Sequence, residues 1–259
     1  MKSILFPLML AVGLCGCATA TKQTAETRAP DTRLYELRTY FAAPGKLDEV
    51  HARSRDHAMK FFKKHGIETI GYWTPVNNTN DTLMLLLAYP SREKREESWK
   101  AFMADPEWTA ILEKTEANGK IVSRVDQMYL QQTDFSPAIK KGNVSHDGVF
   151  ELRTYTTPSG LLPNLDSRFR DHTMALFKKH GMKNWAYFHK TTDQPEADTT
   201  LLYFLTHTSP EAAKASFDTF RQDPAWVAAK DQSEKNGSLT VTDGVKSHFL
   251  KATDYSPTK

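Results

Sequence analysis

A chain of 259 residues with 39% hydrophobic content is long enough for two domains of about 100 residues each. Its 34 basic and 31 acidic residues leave a net charge of +3 with no long basic run, which excludes a nucleic-acid footprint. Both cysteines, Cys15 and Cys17, lie near the N-terminus, so a disulfide, a thiolate nucleophile and cysteine-ligated zinc or iron–sulfur clusters are excluded from the folded body.

The chain opens with Lys2, the apolar run Ile4 to Leu14, and then Leu14-Cys15-Gly16-Cys17. The run is too short to span a bilayer stably, so residues 1–16 read as a secretory signal. Its ending resembles a bacterial lipobox, which makes Cys17 the acylated first residue of the mature chain; a plain signal cut near Ala18 or Ala20 is the alternative. Acyl chains anchor through about 0.8 kcal/mol per buried methylene. Ala18, rather than Asp, follows the cysteine, and the expected address is the outer membrane, facing the periplasm. Residues 17–32 are polar and read as a flexible tether.

Beyond the tether one unit occurs twice. Tyr35-Glu36-Leu37-Arg38-Thr39-Tyr40 returns 115 positions later as Phe150-Glu151-Leu152-Arg153-Thr154-Tyr155, and 17 of the 32 positions from Tyr35 to Gly66 match their counterparts. In chain order, Leu34 to Tyr40 alternates as a strand. Ala43-Pro44-Gly45 breaks it, and Leu47, Val50, Ser54, Ala58 and Phe61 then form a helical stripe, matched by Leu162, Leu165, Phe169, Thr173 and Leu176. Lys63-Lys64-His65-Gly66 ends that helix with cations at its negative pole and glycine as the left-handed stop, which assigns His65 and His180 to capping.

Ile67 to Thr74 (Met182 to Lys190) is the second strand, and Leu83 to Ala88 (Leu201 to Thr206) the third. Ser91 and Ser209 cap a second helix; Asp105-Pro106 and Asp223-Pro224 start a short third one, with Trp108 and Trp226 as packing anchors. Strands near Ser123 to Leu130 and Val245 to Leu250 close the copies. The domains are predicted at 33–137 and 148–257, with a polar linker at 138–147.

The order β-α-β-β-α-β is ferredoxin-like, an α+β arrangement that covers only one face of its sheet. A wet opposite face would make the third strand alternate, yet Leu83 to Ala88 is apolar on both faces. The two sheets are therefore expected to cover each other as an intramolecular, pseudo-two-fold barrel.

The strand opening Tyr-Glu-Leu-Arg-Thr-Tyr, the helix ending Lys-Lys-His-Gly and the helix start Asp-Pro-Glu-Trp together resemble the NIPSNAP family, across about residues 33–136 and 148–256. The resemblance implies the dimeric α/β-barrel superfamily, whose members include cofactor-independent monooxygenases, haem enzymes and binding proteins. Fold-level analogy does not choose among these.

If Leu37 and Leu152 face the helices, Glu36, Arg38, Tyr40, Glu151, Arg153 and Tyr155 converge inside the barrel. That would make a polar patch in an apolar cavity, with Arg as anion or carbonyl clamp, Tyr as donor and Glu as base; simple ion pairing between Glu and Arg is the competing reading. His57 and His172 fall on the flank of the first helix and join the ligand-binding candidates, as does His248, which stands where the first copy has Met128. No spacing suits a metal site. No cofactor is expected; haem is the minor alternative, with His248, His189 and His207 as axial candidates.

The leading reading is a membrane-anchored protein of undefined role, expected to bind a small, partly apolar molecule in or beside the barrel, with no nucleic-acid partner and with enzymatic activity and further oligomerisation left open. The alternatives are an oxidative enzyme, cofactor-independent or haem-dependent, and an interaction module with a filled barrel.

Overall fold

The computed structural model describes residues 31–259; Cys17 and the signal and lipidation expectations lie outside the described residues. The first repeat runs β1 (Leu34–Ala42), α1 (Leu47–Arg53), a π-helical turn (Ser54–Ala58), α2 (Met59–Lys64), β2 (Glu68–Pro75), β3 (Thr82–Tyr89), α3 (Arg92–Met103), α4 (Pro106–Thr115) and β4 (Val122–Gln132). The second runs β5 (Val149–Thr156), α5 (Leu162–Arg168), a π-helical turn (Phe169–Thr173), α6 (Met174–Lys179), β6 (Lys183–Lys190), β7 (Thr200–His207), α7 (Pro210–Arg221), α8 (Pro224–Ser233) and β8 (Val245–Ala252). The π turns, at matching places within the expected first helix of each copy, were not legible in its apolar period.

The strands close into one antiparallel barrel, β1-β3-β2-β8-β5-β7-β6-β4, so the two ferredoxin-like sheets share an interior as expected. Two short ladders join the repeats. Trp73 faces Ala252 through to Pro75 facing Leu250, and Leu130 faces Lys190 through to Gln132 facing Phe188.

Each repeat then extends the seam with its tail. The Tyr72 N–H donates to Ser256 Oγ at 2.8 Å, and the Tyr187 N–H donates to Ser136 Oγ at 2.9 Å. Thr253 and Thr133 donate their amides to the carbonyls of the same two tyrosines, at 3.0 and 3.1 Å. The paired Thr-Asp-aromatic-Ser-Pro endings are thus reciprocal latches, each fastening one repeat onto the second strand of the other. The expected linker also pairs with the chain end, through Gly142 and Lys259.

The shared interior is filled. Tyr35, Leu37, Trp73, Leu86, Phe150, Leu152, Trp185, Phe188, Leu202 and Phe204 form one buried cluster. Within it Trp73 packs on Phe150, Trp185 and Phe204 at ring-centroid distances of 5.3 to 5.9 Å. Gly71 has a steric reason here: a Cβ on it would lie inside the Trp73 ring. Two further clusters lie outside the barrel, each between one sheet and its own helices.

The late helices are clasped to the first. Asp105 Oδ1 accepts from the Glu107 N–H at 3.0 Å, while Oδ2 meets Lys64 Nζ and His65 Nε2, both at 2.7 Å. Asp223 does the same with Ala225, Lys179 and His180. Gly66 and Gly181 take φ of 73° and 79°, the left-handed stops expected after the histidines.

Candidate functional site

The facing assumed for the first strand is reversed. Leu37 and Leu152 point into the shared interior, and Glu36, Arg38, Tyr40, Glu151, Arg153 and Tyr155 lie on the helix side of their sheets. The reason is electrostatic. A buried carboxylate needs donors, the barrel interior is packed with Leu, Phe and Trp, and the helix layer brings arginine, tyrosine and tryptophan to β1. The third strand, apolar on both faces, offered no phase by which to choose.

In the first repeat Glu36 is fully buried and saturated. It accepts from Arg38 Nη1 at 2.6 Å, from Arg95 Nε and Nη2 at 3.1 Å each, and from the Tyr89 hydroxyl at 3.0 Å. Trp99 Nε1 donates in turn to that hydroxyl at 2.8 Å. Burial pushes the Glu36 carboxyl up, but the Arg95 hydrogen bonds and the Arg38 charge outweigh it and hold the group below the usual carboxylate range. It stays ionised and has no room to take a proton as a base. Tyr89, Arg95 and Trp99 are therefore part of the cluster, although sequence reasoning passed over them.

One buried carboxylate serves two guanidiniums; the other acid that Arg95 meets, Glu96, is in solvent. Arg38 lies with its Cζ 4.1 Å from the centre of the Trp99 ring, and its Nε has no acceptor. Beside it opens a cavity of about 220 Å³ between sheet and helices. Tyr40, Ala58, Phe62, Phe102, Trp108 and Leu112 contribute to its walls, and buried Trp108 Nε1 is a second donor without a partner. Arg53, paired to Glu116 at 2.6 Å, also lines it. A guanidinium in the wall of an aromatic cavity suits a partly apolar guest that carries an acceptor.

The second repeat keeps the carboxylate and loses the space. Glu151 accepts from His207 Nε2 at 2.9 Å, Arg153 Nη1 at 2.5 Å and Ser247 Oγ at 2.6 Å. Burial raises its carboxyl, yet His207, Arg153 and Ser247 bring it below the usual range. Arg153 donates further to the hydroxyls of Tyr203, at 3.0 Å, and Tyr155, at 3.3 Å. Tyr203 stands where the first repeat has Leu85, each directly opposite its arginine in the ladder. Phe169 begins the second π turn where Ser54 begins the first, and it packs on Tyr203 at 5.1 Å and Tyr155 at 5.6 Å. Ala213 replaces Arg95. Phe169 thus stands at the position of Ser54, which lines the cavity of the first repeat.

The other candidates fall elsewhere. His57 is partly exposed in the π turn and outside the cavity wall; His172 is exposed, on a separate surface groove with Asn164 and Arg168. His248 is exposed on β8, opposite Leu152. Haem does not fit these residues: the interior is filled, His207 is committed to Glu151, and His189 Nε2 lies 3.0 Å from Asp166 Oδ1. Among the described residues no group of three or more His, Cys, Asp or Glu could hold a metal ion, and no helix is long and apolar enough to cross a membrane.

No curated protein matches the chain. Among solved structures, two proteins described as putative monooxygenases share the whole barrel. The one from Fusobacterium nucleatum has 10% identity and a TM-score of 0.54, covering 88% of this chain and 95% of its own. The one from Lactobacillus acidophilus has 9% identity and a TM-score of 0.51, covering 86% and 94%. An uncharacterized NIPSNAP domain protein from Burkholderia xenovorans matches at 23% identity and a TM-score of 0.36, over 40% of this chain and 99% of its own. At these identities the likeness is one of fold. The NIPSNAP family profile matches residues 35–137 and again 150–257, and the chain therefore belongs to the NIPSNAP family as a tandem pair folded into a single dimeric-type α/β barrel.

Proposed function

We propose that this protein binds a small, partly apolar molecule in the first repeat, in the space between sheet and helices beside Arg38, and that the second repeat serves as its scaffold. The observation that carries the reading is the inequality of the halves: an aromatic cavity beside Arg38 in one, and in the other Phe169, packed against Tyr203, at the position of the cavity-lining Ser54. The oxidative reading finds less support, because Glu36 is held ionised and fully bonded. The signal and lipobox extend the proposal to a protein carried on the outer membrane by acylated Cys17.

Native mass spectrometry of the full chain, released gently from detergent, tests the binding function. The expected result is a co-purified small molecule at one per chain that is absent from Ser54→Phe. An apo spectrum, or an adduct unchanged by Ser54→Phe, overturns it. For the anchor, metabolic labelling with a radioactive fatty acid should mark the wild type and not Cys17→Ala.

A further inference from the structure

We infer that the guest of the first-repeat cavity is a compact aromatic monocarboxylate, its ring among Trp99, Phe62, Phe102 and Trp108 and its carboxylate taken by Arg38. This rests on the binding function proposed above and adds the chemical class.

Size sets the first limit. A buried apolar cavity of about 150 Å³ accommodates benzene, so about 220 Å³ admits one ring with a small polar group. It excludes flavins and porphyrins. The walls set the second. Phe62, Trp99, Phe102 and Trp108 form a continuous aromatic set, with Phe62 to Trp99 at 5.7 Å, Trp99 to Phe102 at 5.5 Å and Phe102 to Trp108 at 4.6 Å between ring centres. Such rings favour edge or offset contact with another ring.

Charge sets the third. Arg38 and Arg95 share the buried Glu36 carboxylate, and Arg95 pairs also with solvent-exposed Glu96, which leaves Arg38 as the guanidinium with no acid of its own. Arg38 lines the cavity, and a planar guanidinium matches a carboxylate in geometry. A neutral guest would forgo that charge-assisted pairing. A long acyl chain needs more room than about 220 Å³ provides.

Isothermal titration of the full-length protein with benzoate, benzamide and dodecanoate separates these limits. Benzoate should bind one to one, benzamide at least about tenfold more weakly, and dodecanoate should neither bind the cavity nor displace benzoate. Arg38→Met should bring benzoate down to the benzamide level. Ser54→Phe, which copies the second repeat's own residue and is checked for native folding by circular dichroism, should abolish both. If benzamide or dodecanoate binds as well as benzoate while Ser54→Phe still abolishes binding, the aromatic carboxylate is wrong and the cavity function stands. If no probe binds, or if Ser54→Phe leaves binding intact, both fall.

Discussion

Arg38 and Arg153 occupy equivalent places on β1 and β5, and each donates through Nη1 to the glutamate two residues before it, at 2.6 and 2.5 Å. Arg153 spends its Nε on Tyr203; Arg38, facing Leu85 in the same register, has nowhere to place its own. Leu85→Tyr should supply the missing acceptor. A hydrogen bond to a buried charged group is worth about 1.5–3 kcal/mol, less the strain of a larger ring, so a net gain of about 1 kcal/mol is expected. Urea denaturation of Leu85→Tyr against wild type measures it. A loss of stability would mean that the two pockets are not interchangeable.

Glu36→Gln should destabilise strongly. It leaves Arg38 and Arg95 buried without their common carboxylate, a change that costs about 3–5 kcal/mol when one partner of a buried pair is removed. Chemical denaturation checks the figure. An effect below about 1 kcal/mol would show that the guanidiniums are better hydrated than their burial implies.

The acid limb of stability should report the Asp105 clasp. The Lys64 ammonium, and against the push of burial the His65 ring and the Glu107 amide, hold the Asp105 carboxyl down to about 2. An unfolded-state aspartate titrates near 3.9. Because the folded value is the lower one, the contribution is complete above about pH 4 and is lost as pH falls toward 2. Asn keeps the helix cap and removes the charge. Thermal midpoints of wild type and Asp105→Asn should therefore differ most above pH 4 and converge toward pH 2. A gap independent of pH would show that the charge contributes nothing.

Gly71→Ala should cost about 1–3 kcal/mol, the usual penalty of overpacking, because the new methyl enters the Trp73 ring. The second repeat has Ala186 with Phe188 at the matching positions. Adding Trp73→Phe to Gly71→Ala should therefore recover most of the loss, as a thermal melt of the single and double variants would show. Additive losses would place the clash elsewhere.

The architecture was legible in the sequence and the site was not, for a common physical reason. The doubled Glu-Leu-Arg-Thr-Tyr strand and the two-faced apolar run Leu83 to Ala88 require two sheets to cover each other, and the barrel does this. That same run, apolar on both faces, carries no information about which side meets the helices. The choice fell to Arg95 and Trp99, whose helix has a weakly amphipathic pattern and whose partners lie some 60 residues earlier in β1. Ser54 against Phe169 was visible as a mismatch in the stripe, but its meaning depended on knowing that Ser54 lines the cavity beside Arg38.

Joining the repeats in one polypeptide has a consequence for how such a molecule can change. In an assembly of two identical chains every substitution lands twice, so a residue that blocks one chamber blocks its mirror image. Here the crossed tails, Ser256 on Tyr72 and Ser136 on Tyr187, hold the halves as firmly as a symmetric pair while leaving their sequences independent. Phe169 could close one chamber and stiffen that half without touching the other, and the covalent tie is what releases the two sides from obeying the same rule.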